Sequence, residues 1–338
     1  MSVGIDIGSK TIKIVELSHE GGKFRLKASG VVGHQGKTPE MVKDDKEFAV
    51  LSDAVKKLHK EAKISSKEVG IALPETQVYT RTIKFPQLTD AEIASAVRWE
   101  AEQYIPIPVN EAIVQHQIID RREDTSPPSV SVLLVAAPKA LVEKYARVVE
   151  MAGLSLASVE TDLIALVRSL APSDQTVLLV DFGGRSTDIA VAKNAQLIFS
   201  RSIPTAGEAF TRAVAQTLGV EESQAEEYKR TYGLSATELE GKVKGALEPV
   251  FRVVADEMKK AIQFYQADEK GDIPRSAVLS GGTAGMPEAA STLTKLLGIE
   301  VVVGNPFARV DVDPSAVKQL AGFAPLYGIA VGLAMGEA

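Results

Sequence analysis

Residues 3–17 read VGIDIGSKTIKIVEL and place a charged side chain inside an apolar run, directly before a short polar turn. Residues 3–6 and 11–17 each have the composition of a β-strand, and two strands joined by a short Gly-containing link predict a β-hairpin. Asp is depleted in strands. A hairpin alone therefore does not explain why Asp6 stands at the end of the first strand, facing a loop of backbone N–H groups.

A second stretch has the same arrangement. Residues 177–192 read VLLVDFGGRSTDIAVA, and aligning Asp6 with Asp181 places Gly8 on Gly183. In each copy a strand ends in Asp, a Gly-containing turn follows, and two further strands complete a β-meander. Repeated units predict a duplicated architecture, which for two copies means a pair of similar domains.

The composition is that of an ordinary water-soluble globular protein, since 45% of the 338 residues are hydrophobic and 24% are charged. The length favours two or three domains, and the net charge of −6 argues against a nucleic-acid partner. The absence of cysteine excludes disulfides and thiolate zinc sites and is consistent with a reducing cytoplasm. The four His are scattered, and we expect neither a signal peptide nor a membrane span.

Helical and strand patterns alternate on both sides of the chain's centre, which is typical of an α/β fold. In the first half, Phe48, Leu51, Val55 and Leu58 have helical spacing and precede the strand EVGIALP. In the second half we predict strands at 276–282 and 299–303 and helices at 206–219, 221–232, about 246–267, from Pro287 onward, and at 324–336.

A different module lies between the two halves, at residues 81–153. Thr89, with Glu92 three residues later, has the pattern of a helix capping box, and the prolines of IPIPV impose an extended path after that helix. Two strands and a second helix follow, and Gly153 is expected to end that helix as a C-cap. The order helix, strand, strand, helix predicts a small α+β insert.

Both Asp-Gly turns combine a carboxylate with backbone N–H groups that can form an anion-binding concavity. Mg²⁺ usually takes one or two protein carboxylates together with phosphate oxygens and water. If the two halves face each other, Asp6 and Asp181 approach one ion from opposite sides, and Lys13 neutralises phosphate charge. A third Gly-rich loop, LSGGTAGMPE at 279–288, joins a strand to a helix and allows a ligand to approach closely. Each turn alone could be purely structural, but the three together predict a nucleotide site.

These motifs resemble those of the actin/Hsp70/sugar-kinase superfamily. DIGSKTIK at 6–13 is similar to its phosphate-1 loop, DFGGRSTD at 181–188 to its phosphate-2 loop, and SGGTAG at 280–285 to its adenosine loop. AEEYK at 225–229 resembles the Ala-Glu-x-x-Lys motif of the bacterial actins. The resemblance implies an α/β, actin-like fold, in which two ribonuclease H-like halves form two lobes.

The same resemblance implies ATP and Mg²⁺ as cofactors. It places Asp6 and Asp181 at the metal, Glu226 on the ribose and Lys229 against the adenine. The residues expected to surround the nucleotide are Gly8, Ser9, Lys10, Thr11, Lys13, Gly183, Gly184, Arg185, Ser186, Gly207, Glu226, Lys229, Gly281, Gly282, Thr283 and Gly285.

Within the superfamily, the chain resembles the PilM family of type IV pilus assembly. The resemblance rests on IGSKTIKIVEL and on residues 81–119 and 145–170. The insert is similar to the 1C subdomain that this family shares with the cell-division protein FtsA, and the chain is also similar to the cytoplasmic part of the type II secretion protein GspL. The implied subdomains are 1A (1–80, 154–172 and 322–338), 1C (81–153), 2A (173–206 and 273–321) and 2B (207–272).

The family resemblance also implies a partner, the short cytoplasmic N-terminus of the inner-membrane protein PilN, bound in a groove between subdomains 1A and 1C. An extended peptide can lie along a sheet edge and place alternate side chains in apolar pockets. The residues predicted to bind it are Phe85, Trp99, Tyr104 and Ile105, with ordinary packing as the alternative for Trp99. Other pilus components, including the assembly ATPases, are possible partners, and the cytoplasmic chain would reach the membrane only through partners.

Catalysis is less well supported by the sequence than binding. The region that carries the water-orienting Glu or Gln in hydrolytic relatives reads SVETDLIAL here, and it lacks their Glu-Pro. Glu160 and Asp162 are the candidates, so we expect a nucleotide-binding adaptor and at most a slow ATPase. The alternatives are an FtsA-like filament protein, against which the end of the chain just after the last expected helix argues, and a small-molecule kinase.

Overall fold

The computed structural model describes residues 1–34, 37–123, 126–269 and 273–336. Its strands are β1 (Ser2–Ile7), β2 (Thr11–Glu20), β3 (Lys23–Gly33), β4 (Glu68–Leu73), β5 (Tyr79–Pro86), β6 (Ala112–Arg122), β7 (Ser129–Pro138), β8 (Ser155–Thr161), β9 (Thr176–Phe182), β10 (Thr187–Lys193), β11 (Gln196–Ile203), β12 (Ser276–Ser280), β13 (Glu300–Val303) and β14 (Val310–Asp311). Its α-helices are α1 (Asp45–Glu61), α2 (Asp90–Tyr104), α3 (Lys139–Met151), α4 (Asp162–Leu170), α5 (Gly207–Leu218), α6 (Glu222–Tyr232), α7 (Lys242–Glu269), α8 (Ala289–Leu297), α9 (Pro314–Leu320) and α10 (Gly328–Ala334).

Both predicted meanders are present, each at one side of a larger sheet. The first sheet has the strand order β14-β3-β2-β1-β4-β8, and the second has the order β11-β10-β9-β12-β13. In the first hairpin Asp6 lies opposite Lys13, and in the second Asp181 lies opposite Asp188. The two meanders therefore have equivalent registers, as the alignment of the two sequence copies requires.

The two sheets define two lobes. The core of the first lobe lies between its sheet and helices α1 and α3, and the predicted helical stripe of α1 is buried there. The core of the second lobe lies between its sheet and α5, α7 and α8. Helices α4 and α10 pack between the lobes, where Leu166 and Leu333 join the core on the inner face of the second sheet. These two helices therefore connect the cores of the two lobes.

The insert differs in extent from the predicted 81–153. Its three-stranded sheet has the order β5-β7-β6 and is covered on one face by α2. The predicted capping box is present, because the Thr89 hydroxyl accepts from the Glu92 N–H and the Glu92 carboxylate accepts from the Thr89 N–H. Helix α3 does not belong to the insert: Leu141 and Tyr145 are buried in the core of the first lobe. The insert is therefore an α+β unit with the one helix α2, and not with the two helices that the sequence predicted.

Two further predictions need correction. The predicted second-lobe segment 273–321 includes β14, yet Val310 pairs with Phe24 in the first sheet, because the chain crosses back to the first lobe before α9. The helix predicted to open at Pro287 begins at Ala289 instead, after Glu288 in the left-handed region at φ 60°.

In the described part of the chain, no single helix is long and apolar enough to cross a membrane. Helix α9 and residues 324–334, which are bent by 94° relative to each other, pass that test only as a pair, on length and composition.

Candidate functional site

The first Asp-Gly turn lies between β1 and β2 and is closed by a hydrogen bond from the Gly8 N–H to the Thr11 carbonyl, 3.1 Å. Because Asp6 and Lys13 face each other in the register, the ammonium of Lys13 donates to Oδ2 of Asp6 at 2.8 Å, and both side chains are buried. A Cβ on Gly8 would lie 3.0 Å from Lys13 Nζ. Glycine thus leaves room for the buried ion pair directly beneath the turn.

The second turn supports the start of α5. It is closed by the Gly183 N–H donating to the Ser186 carbonyl at 3.0 Å, and the Gly207 N–H donates to the Gly183 carbonyl at 3.1 Å. The Glu208 N–H donates to the Gly184 carbonyl at 2.8 Å. Backbone hydrogen bonds therefore fix the N-terminus of α5, with its partial positive charge, on the second turn.

The two turns touch across the cleft. A Cβ on Gly184 would lie 2.5 Å from the Ser9 hydroxyl oxygen and 3.1 Å from Lys10 Cγ, so a larger residue at this position would displace the side chains of the opposite turn. The ammonium of Lys10 lies 3.0 Å from Glu208 Oε1, and Arg185 Nε lies 3.7 Å from the same atom. Two cations from opposite lobes thus share one carboxylate at the mouth of the cleft.

The third predicted loop packs against the second turn. Gly281 has φ +86°, and a Cβ there would lie 2.4 Å from the Phe182 carbonyl and 2.7 Å from Asp181 Oδ1, so only glycine fits. A Cβ on Gly207 would lie 3.2 Å from the Thr283 hydroxyl oxygen. Gly281 therefore allows the loop to approach Asp181, and Gly207 allows Thr283 of the loop to approach the start of α5.

The predicted ribose and adenine residues form a hydrogen-bonded group on α6. Lys229 Nζ donates to Glu226 Oε2 at 2.6 Å, to the Thr211 hydroxyl at 2.9 Å and to the Gly207 carbonyl at 3.2 Å. Burial lowers the pKa of Lys229, although Glu226 opposes the shift. Burial acts to raise the pKa of Glu226, but hydrogen bonds from Lys229 and Thr211 outweigh it and lower that pKa.

Acidic side chains concentrate around the two turns. Burial, with the nearby Asp188, raises the pKa of Asp181 to about 7, and burial raises the pKa of Asp188 to about 6. Burial and the neighbouring carboxylates, Asp6 first, raise the pKa of Asp162 well above its ordinary value. Burial acts to lower the pKa of Lys13, but attraction to Asp6, with smaller contributions from Asp181 and Asp162, raises it. Such a cluster favours a cation that would hold the carboxyls ionised.

The residues present fit a magnesium nucleotide better than a bare metal ion. Within the described residues, no group of three or more His, Cys, Asp or Glu side chains could hold a metal by itself. Mg²⁺ characteristically keeps several waters and binds through one or two carboxylates plus substrate phosphates. Asp6 and Asp181 are the carboxylates that would serve it, one from each turn.

The two catalytic candidates lie in different surroundings. Asp162 is in the first turn of α4, within the acidic cluster. Glu160 is held by an ion pair of 2.7 Å with Arg168, whose other guanidinium nitrogen donates to the Gly332 carbonyl at 2.8 Å. The pair of Glu160 and Arg168 therefore ties β8 to α4 and α10. Of the two candidates, Asp162 is the one among the carboxyls of the cleft.

The predicted peptide-binding residues separate into two pairs. Phe85 and Ile105 are only 8% and 7% exposed and belong to the core between α2 and the insert sheet. They stabilise the insert and are not a contact surface, which corrects the prediction for both. Trp99 is 63% exposed on α2, so the packing alternative for it is wrong, and Tyr104 is 39% exposed with the Arg81 guanidinium 3.8 Å from its ring centre.

Three residues of the site were not selected from the sequence. Glu208 and Thr211 were missed although both lie within one helical turn of the selected Gly207, on the helix that the second turn supports. Asp188 aligns with Lys13, but its carboxylate accepts from Ser186 at 2.9 Å and from Ser202. Asp188 could have been identified from the sequence, because it occupies the position in the second hairpin that Lys13 occupies in the first.

Two lobes that each carry an Asp-Gly turn, facing one another across a cleft and joined by paired helices, define an actin-like α/β protein. The predicted fold class is confirmed. A family model described as type IV pilus assembly protein PilM matches residues 4–338, so the chain belongs to the PilM family.

Individual proteins and solved structures are similar to the chain to different degrees. The chain is similar to the structure of a PilM-PilN type IV pilus biogenesis complex, with TM-score 0.84 and 28% identity over 99% of this chain and 97% of that one. It is 25% identical to the cell division protein FtsA of Enterococcus hirae over 90% of this chain and 78% of FtsA. MreB5 of Spiroplasma citri bound to AMPPNP shares the fold, with TM-score 0.54 and 12% identity over 98% and 93% of the two chains.

Proposed function

We propose that this chain is a cytoplasmic ATP-binding adaptor that binds the N-terminal peptide of PilN and links it to the pilus machinery in a nucleotide-dependent way. The observation that carries the proposal is the contact between Ser9 and Gly184, which joins the two Gly turns across the cleft. A phosphate group bound there would be held by both lobes at once. The solved PilM-PilN complex and the nucleotide-bound MreB5 support the choice of partner and cofactor.

The chain's own residues supply each part of the nucleotide site. Backbone N–H groups of the two turns would receive the phosphates, the partial positive charge at the N-terminus of α5 would favour them, and Lys13 would neutralise their charge. Asp6 and Asp181 would hold Mg²⁺, which supplies charge neutralisation between the phosphates and these carboxylates. Glu226 and Lys229 would contact the ribose and the adenine on the second lobe.

Binding of this kind can change the angle between the lobes. A ligand shifts a conformational equilibrium only by its difference in affinity for the two states, and phosphates that touch both turns interact best with the closed state. The insert would sense closure, because β5 lies beside β11 of the second lobe and the Thr82 hydroxyl donates to the Ile198 carbonyl. The peptide groove at the insert would therefore change with the nucleotide.

We further propose that Trp99 and the stacked pair of Arg81 and Tyr104 form the peptide-binding part of the insert. Exposed aromatic and Arg side chains are those that most often carry interface energy. ATP turnover is at most slow in this proposal, since Glu160 is held by Arg168 and burial among other carboxylates raises the pKa of Asp162 well above its ordinary value, which disfavours the ionised form that a general base needs.

Calorimetric titration of a synthetic PilN N-terminal peptide, with and without Mg·ATP, tests the proposal. We expect one-to-one binding whose affinity changes with nucleotide, and the change gives the coupling free energy directly. Binding insensitive to nucleotide would retain the partner and remove the gating. ATP binding without peptide binding would favour the filament alternative, which sedimentation of the ATP-loaded protein examines, and phosphoryl transfer to small acceptors would favour the kinase alternative.

A further inference from the structure

His34, directly after β3, holds the first Gly turn from behind. Its side-chain Nε2 lies 2.8 Å from the Gly8 carbonyl oxygen, and its backbone N–H donates to the Lys10 carbonyl at 3.1 Å. One residue therefore binds two of the carbonyl groups of a turn that is only a few residues long. Among the residues that the structure describes, one backbone hydrogen bond within the turn closes it, from the Gly8 N–H to the Thr11 carbonyl.

The hydrogen bond fixes the tautomer of the imidazole. A carbonyl oxygen can only accept, so Nε2 must carry the proton that is donated to Gly8. Among the described residues, Nδ1 of His34 is buried and has no hydrogen-bond partner. Burying a nitrogen without a hydrogen-bond partner costs stability. The side-chain hydrogen bond that His34 makes in return is the bond to the Gly8 carbonyl of the turn.

This contact orients the turn. The C=O and N–H of a trans peptide unit point in opposite directions, so a Gly8 carbonyl directed at His34 turns the Ser9 N–H away from His34. In the described part of the chain, neither the Ser9 nor the Lys10 N–H donates to a backbone carbonyl. These amides are thus available to an anion at the turn that touches Gly184 of the other lobe.

We propose that His34 is a positioning residue for phosphate binding, which holds the Gly8 carbonyl so that the Ser9 amide faces the nucleotide phosphates. The inference rests on the proposed ATP site and adds a residue to it. His34 acts through the turn and does not itself touch the nucleotide. Its removal should therefore weaken binding of the phosphates and leave binding of the nucleoside unchanged.

The test compares Mg·ATP and adenosine as ligands of the full chain, by calorimetry for ATP and by competition for adenosine. We expect His34→Ala to raise the Kd for Mg·ATP about three- to tenfold, the effect of one lost hydrogen bond, with no change for adenosine. His34→Gln, whose amide can donate from a position near that of Nε2, should recover most of the ATP affinity.

A matched control is available in the first lobe. His59 Nε2 also lies 2.8 Å from a carbonyl, that of Ser66, at the end of α1 and not at a turn of the cleft. His59→Ala should cost comparable thermal stability and leave both affinities unchanged. If His34→Ala lost ATP and adenosine affinity equally, or kept its ATP affinity, the role of His34 would be rejected and the ATP site would stand. If the wild-type protein bound no Mg·ATP, both the ATP site and the role of His34 would be rejected.

Discussion

Lys10 and Glu208 form an ion pair of 3.0 Å between the two lobes, and Arg185 approaches the same carboxylate at 3.7 Å. Lys10 belongs to the first Gly turn and Glu208 to the start of α5, so this contact spans the mouth of the cleft. Because a nucleotide phosphate would attract the same two cations, Glu208 competes with the ligand for them.

We therefore expect Glu208→Gln to bind Mg·ATP about two- to fivefold more tightly than the wild type, since Lys10 and Arg185 would be released to the phosphates. Partly exposed ion pairs contribute less than about 1 kcal/mol to folding, so the melting temperature should change little. Calorimetry at low and moderate salt measures the effect, which should shrink as salt screens the charges. Weaker binding in this variant would mean that Glu208 serves the ligand.

The raised pKa of Asp181 makes the stability of the Mg²⁺-free protein depend on pH. The folded protein binds this proton up to about pH 7, whereas the ordinary pKa of Asp is 3.8. Between these values the folded state holds more protons than the unfolded state, so stability falls as the pH rises from about 4 to 7. Asp181→Asn, which does not ionise, should have a flatter profile and melt a few degrees higher at pH 7.5.

Thermal unfolding in EDTA across this pH range measures the difference, with Asp53→Asn, an exposed carboxylate on α1, as the matched control. In the same variant Mg·ATP binding should weaken, because the ion requires the carboxylate. A steeper pH dependence in Asp181→Asn than in the wild type would contradict the assignment of the shift to this residue.

Trp99 should contribute to peptide binding and little to folding. Its side chain is 63% exposed, so Trp99→Ala is expected to leave the melting temperature nearly unchanged while weakening the PilN peptide about tenfold or more. Phe264→Ala, which removes an equally exposed aromatic from the second lobe, is the control and should bind peptide normally. Phe85→Ala should instead unfold the insert, at a cost of about 3–5 kcal/mol. Peptide titration and thermal unfolding of the three variants separate these outcomes.

Gly332 permits the close packing of α10 on α4. A Cβ at this position would lie 1.8 Å from the Ala165 carbonyl oxygen, so Gly332→Ala must push the two interlobe helices apart. We expect a loss of about 2 kcal/mol or more in unfolding free energy. Gly245→Ala on α7, where no atom lies within 4 Å, should gain roughly 0.5–1 kcal/mol from helix propensity. Chemical denaturation of both variants is the measurement, and a stable Gly332→Ala protein would contradict the packing.

The sequence by itself determined the elements and their duplication, because these depend on local chemistry. The period of the apolar residues identified α1, the Thr89–Glu92 pair identified the start of α2, and the two Asp-Gly turns identified equivalent hairpins. It could not assign α3 or β14 to a lobe. An amphipathic helix or a short edge strand has the same pattern whichever core it joins, and only long-range packing selects the core.

The candidate site divides in the same way. The residues of the three Gly-rich loops were evident from the sequence, because glycine and a carboxylate mark such turns locally. The tertiary structure alone decided that Glu160 pairs with Arg168, that Phe85 and Ile105 are core residues, and that Trp99 is exposed. It also decided that Glu208 and His34 reach the first turn, because each is brought there by a backbone distant in sequence. Contacts of that kind depend on how sheets and helices pack, which no local pattern encodes.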